Sequence, residues 1–75
     1  MSAAEVSAAE MLLLMTAAAG ELTARNGVFL VNGEEVSAYT RQQIRDLIVD
    51  GWLYTPDLDD RRRVLPTDKA GRVLS

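Results

Sequence analysis

The stretch 51-GWLYTPDLDDRRRVLPTDKAGRVL-74 decides how the rest of the chain is read. Gly51 is a natural stop for a helix, because glycine takes positive φ without a Cβ clash. Residues 52–55, WLYT, carry the aromatic and β-branched bias of a strand. Pro56 fixes φ and has no N–H, so it opens a turn. The polar tip 57–62, DLDDRR, leads to a return strand near Arg63-Val64-Leu65. Pro66 closes that strand, and Thr67 opens a short helix over DKAGRVL. The stretch therefore predicts a β-hairpin, over about 54–65, followed by a short C-terminal helix.

Upstream, 37-SAYTRQQIRDLIVDGWL-53 predicts a helix over about 38–50. Ser37 is one N-cap candidate, and Thr40 with Gln43 is a rival capping box. Ile44, Leu47 and Ile48 form its buried stripe at i, i+3, i+4. Arg41, Gln42 and Arg45 point the other way. Before it, 21-ELTARNGVFLVNGEEVS-37 holds Asn26-Gly27 and Asn32-Gly33. Both are type I′ turn signals, since both central residues of that turn need positive φ. The segment predicts a meander of 22–25, 28–31 and a short extended piece around 34–36.

The first helix starts at one of two S-x-x-E boxes, Ser2/Glu5 or Ser7/Glu10, and stops at Gly20. Leu12, Met15, Thr16 and Ala19 make one stripe, and Met11, Leu14 and Ala18 a second. A helix apolar on so much of its circumference needs cover on two sides. The domain core is one cover. The second stripe, Met11, Leu14 and Ala18, is the candidate homodimer surface. The whole reads as an α+β fold and one small domain, residues 1–75: helix, small β-hairpin, helix, β-hairpin, short helix.

Composition narrows the function. The chain has 75 residues, 48% apolar and 25% charged, which is a globular balance. It has no cysteine and no histidine. Disulfides are therefore excluded, zinc is disfavoured, and the usual general base and strong nucleophile are missing. No Asp/Glu pair stands in a recognisable catalytic context, so neither an enzyme nor a cofactor nor a metal site is expected. No positive charge precedes the apolar run MLLLMTAAA, which is far short of the ~20 residues of a membrane span. A cytoplasmic protein without a membrane partner is the expectation. Arginine exceeds lysine seven to one and there are ten alanines, a bias that GC-rich coding produces. That bias points to a bacterial or phage origin.

The formal net charge is −3, but it is unevenly placed. Residues 1–35 hold one base, Arg25, and five acids, for −4. Residues 36–75 hold seven bases and six acids, for +1. Local patches decide where a polyanion docks. Arg61, Arg62 and Arg63 carry guanidinium groups suited to phosphates or to a narrow minor groove. Strand alternation puts Arg61 and Arg63 on one side and Arg62 on the other. Asp60 is placed to brace one of them. The competing reading is a solvated turn in which Asp57, Asp59 and Asp60 neutralise the arginines. On the helix, Arg41 and Arg45 suit guanine and Gln42 suits adenine in the major groove. Ser37, Tyr39 and Thr40 are candidates for phosphate hydrogen bonds. Asp46 and Asp50 dilute that face.

Residues 40–74 resemble the winged-helix DNA-binding domain of MarR-type transcription regulators. The resemblance rests on Ile44 and Leu47, on Gly51-Trp52-Leu53-Tyr54, on Pro56-Asp57, on Asp60-Arg61-Arg62, and on Leu65, Thr67, Gly71-Arg72 and Leu74. It implies that the helix near 38–50 enters a major groove of double-stranded DNA. It also implies an Arg-tipped wing reaching the backbone or minor groove, and a T-x-x-x-G segment starting the helix that follows. The function implied is DNA-binding transcription regulation or an architectural role. The alternative is a winged-helix module that binds a protein partner rather than DNA. Residues 21–36 read as strands where such a motif has its first helix.

Overall fold

The computed structural model describes residues 6–56 and 61–74, with the side chains of Arg61 and Arg62 left aside. Three helices and two antiparallel sheets follow one another as α1 (Ala8–Ala18), β1 (Leu22–Arg25), β2 (Val28–Val31), β3 (Glu34–Glu35), α2 (Ala38–Val49), β4 (Leu53–Tyr54), β5 (Arg61–Arg63), β6 (Leu65–Pro66) and α3 (Asp68–Leu74). This is a small α+β arrangement.

The two Asn-Gly pairs do what their chemistry requires. Asn26 and Gly27 have φ of 52° and 79°, and Asn32 and Gly33 have 53° and 85°. Each turn therefore reverses the chain in two residues, and β1, β2 and β3 form a meander in which Arg25 faces Val28 and Val31 faces Glu34. Leu22 and Ala24 are buried while Thr23 and Arg25 are not, so β1 has one core face and one solvent face.

α1 begins at the second of the two candidate boxes. The Ser7 hydroxyl accepts from the Glu10 N–H at 3.2 Å, and a Glu10 carboxylate oxygen accepts from the Ser7 N–H at 3.0 Å. Ala19 caps the C-terminus and Gly20 follows with φ of 79°. The buried side of α1 is Leu13, Leu14 and Ala17, packed toward β1, β6, α2 and α3. That differs from both expected stripes, and it corrects the dimer surface proposed from sequence. Leu14 is 0% exposed and lies in the core, Met11 is half-buried against it, and only Ala18 of the three is exposed. With apolar residues all round, the helix carries no periodic signal that fixes its rotation; its neighbours fix it.

α2 is capped by Ser37, whose side chain accepts from the Thr40 N–H, rather than by Thr40 with Gln43. Ile44 and Leu47 are buried and Ile48 packs partly against the core, as the periodicity required. Trp52 is buried as well.

The strand pairing beyond α2 departs from a simple hairpin. β4 pairs with β6, Leu53 opposite Pro66 and Tyr54 opposite Leu65. The arginine strand β5 pairs instead with β1, Thr23 opposite Arg63, Ala24 opposite Arg62 and Arg25 opposite Arg61. The larger sheet thus runs β3-β2-β1-β5. Val64 is the pivot: it is fully buried, and its N–H donates to the Leu22 carbonyl at 3.1 Å before the chain turns to β4. Burying Val64 and donating that N–H hold the arginines on β1.

Thr67 ties the two ends of this region together. Its hydroxyl donates to the Gly51 carbonyl at 2.6 Å, approaches the Trp52 carbonyl at 3.3 Å, and accepts from the Ala70 N–H at 3.4 Å. One side chain thereby caps the start of α3 and satisfies a carbonyl just past the end of α2. Lys69 adds to the same joint, donating to the Asp50 carbonyl at 3.1 Å with its ammonium 4.3 Å from the centre of the Trp52 ring. Thr67→Val keeps the shape and removes these hydrogen bonds. It is expected to lower unfolding free energy by about 1–2 kcal/mol, read as a reduced urea midpoint at constant slope. An unchanged midpoint would show that the joint contributes nothing.

Candidate functional site

The sheet gathers arginine from distant parts of the sequence. Arg25, at the end of β1, is the register partner of Arg61, and Arg63 lies opposite Thr23. Arg25 and Arg63 are both exposed. Leu22 and Ala24 face the core, Arg25 and Arg63 are exposed on the other side of the β1–β5 pair, and Arg61 is the residue opposite Arg25 in the register. Arg62 sits at the opposite register position, across from buried Ala24. Directly opposed residues in such a ladder have Cα atoms about 4.5–5.5 Å apart. Like-charged residues directly opposed in a ladder are destabilising.

The same face is electrically polarised. Across it run Arg63, Thr23, Leu30 and Glu35, one residue per strand. Three strand spacings of about 4.8 Å separate the cationic edge β5 from the acidic edge β3. Asp57, Asp59 and Asp60, the expected neutralising and bracing carboxylates, lie outside the described residues.

The α2 face is less available than its composition suggested. Arg41 and Arg45 are exposed. The Gln42 amide, however, donates to the Asp46 carboxylate at 3.0 Å, which occupies one of its N–H groups. Ser37 donates to the Thr40 hydroxyl at 3.1 Å and accepts from the Thr40 N–H, so both hydroxyls serve the helix cap. Tyr39 is 72% exposed and its hydroxyl accepts from the Gln43 amide at 3.4 Å. Val49, on the outward side of α2, is 83% exposed. The strand that feeds α2 is β3, at the sheet edge opposite the arginines.

Arg25 is the residue that sequence reasoning missed. Its only local signal is its place before Asn26-Gly27, which marks a strand end and says nothing of the third strand that joins there. Among the described residues no polar or charged side chain is buried, no group of three His, Cys, Asp or Glu stands together, and no helix is long and apolar enough to cross a membrane. Arg25 and Arg63 are the exposed cations described on the β1–β5 strand pair. No protein-family model matches the chain, and no significant match is found among curated proteins or among solved structures.

Proposed function

We propose that the chain is a small DNA-binding protein of the winged-helix type, acting as a transcription regulator or architectural factor in a bacterial or phage cytoplasm. What supports this reading is the β1–β5 register, in which exposed Arg25 stands opposite Arg61 and exposed Arg63 stands opposite Thr23. Arginine forks match phosphate oxygens bidentately, and a phosphate is the counterion that a register pair of arginines favours. In this reading the β4–β6 ladder is the base of the wing, β5 its phosphate-contacting arm, and α2 the helix laid toward the major groove. With Gln42 tied to Asp46, sequence readout falls to Arg41 and Arg45, so backbone contacts dominate affinity.

Labelled duplexes titrated by fluorescence anisotropy over a salt series test this. Three to five phosphate contacts give log K against log salt a slope of about −2.7 to −4.5. No binding at about 10 mM salt, where electrostatic attraction is strongest, would refute it.

One observation favours a second reading, a protein-docking module. The outward side of α2 combines exposed Val49 and Tyr39 with a carboxylate, Asp46, at its middle. Apolar and aromatic exposure of that kind suits a protein partner. Under this reading the arginine substitutions leave partner binding intact, and Val49→Asp abolishes it.

A further inference from the structure

The outward side of α1 is a surface without charge. Ala8, Leu12, Met15 and Ala19 recur at i, i+4, i+7 and i+11, and all four are exposed, Leu12 at 64% and Met15 at 53%. The neighbouring Thr16 hydroxyl donates to the Leu12 carbonyl at 2.8 Å and is spent on the helix itself. A quarter of the chain is charged, yet the helix has one charged residue, Glu10, which is half-buried and folded back on Ser7. A solvent-facing helix side normally carries the charged residues.

We infer that this stripe is a two-fold contact between copies of this chain, with the two α1 helices antiparallel. The argument is the size profile. About a midpoint between Leu13 and Leu14 the stripe is symmetric: long side chains, Leu12 and Met15, lie inside, and alanines, Ala8 and Ala19, lie at the ends. An isologous contact requires a patch that complements itself. Antiparallel pairing sets Leu12 against the second copy's Met15 and Ala8 against its Ala19, large beside large and small beside small. Parallel pairing would bring the two Glu10 residues and the two positive helix ends together, whereas antiparallel pairing separates both. The stripe covers about 18 Å of helix, below the ~800 Å² per partner of a standard stable interface. The dimer is accordingly weak, with a dissociation constant on the order of 100 µM. The inference does not depend on the nucleic-acid reading.

Sedimentation equilibrium from about 10 µM to about 1 mM brackets that constant. The mean mass is expected to climb toward twice 8.2 kDa. Leu12→Glu and Met15→Glu should each hold the chain monomeric while leaving its thermal unfolding at low concentration unchanged, both sites being exposed. The chain has no cysteine, so orientation is tested with single thiols. An oxidised mixture of Ala8→Cys and Ala19→Cys should yield chiefly the mixed disulfide. A monomer at every concentration, a dimer indifferent to both glutamates, or Ala8→Cys linking mainly to itself would each overturn the proposal.

Discussion

Arg25→Ala, Arg61→Ala and Arg63→Ala are each expected to weaken duplex binding about tenfold, the loss of one charge-assisted hydrogen bond to phosphate. Each is also expected to reduce the magnitude of the salt slope by about 0.9. The triple variant then binds about a thousandfold more weakly. Arg62→Ala should leave the slope nearly unchanged, because its register position lies across from buried Ala24 on the other side of β5. Stability should move the opposite way from binding. Arg25 stands opposite Arg61 in the ladder, where like charges are destabilising, so with Arg25→Ala the unfolding free energy of the free protein is expected to hold or rise by about 0.2–1 kcal/mol. Anisotropy titrations and urea melts on the four single variants measure both quantities. Equal slope changes at Arg62 and at the other three positions would mean that a diffuse charge, and not the β1–β5 face, meets the phosphates.

A larger effect on stability is expected from Leu14→Ala than from the same change at Leu12. Leu14 is completely buried on α1, which packs against β1, β6, α2 and α3, and its truncation leaves a cavity; the cost is about 3–5 kcal/mol. A domain of this size holds roughly 4–11 kcal/mol in all, so the variant lies at or near the edge of folding. Leu12 is mostly solvent-exposed, and Leu12→Ala should change the unfolding free energy by less than about 0.5 kcal/mol. Chemical denaturation at low micromolar concentration keeps self-association out of the comparison. Similar costs at the two positions would show that α1 is rotated from the orientation described.

These two experiments fall where sequence and structure diverge. Two strands of the meander were legible to the residue: β1 over 22–25 and β2 over 28–31 follow from two Asn-Gly pairs whose positive φ fixes each turn, and the piece expected around 34–36 is β3, Glu34–Glu35. So was the inward face of α2, where Ile44, Leu47 and Ile48 alternate with Arg41, Gln42 and Arg45. The chemistry of the candidate site was legible in part. Three consecutive arginines announced themselves, but Arg25 did not, and the hydrogen bonds that occupy Gln42, Ser37 and Thr40 could not be foreseen from residue type.

The sequence by itself determined the features whose cause lies within a few residues: the positive-φ turns and the periodicity of an amphipathic helix; it narrowed each helix start to two candidates, and the structure chose Ser7 and Ser37. Tertiary structure alone decided the rotation of α1 and the partner of β5. Eleven uninterrupted helical residues with a single charge offer no phase, and an arginine strand can pair as well with β4 as with β1 until Val64 is buried and bonded to Leu22. Backbone ladders are indifferent to side-chain identity, so the choice between two neighbours passes to the burial that each one completes.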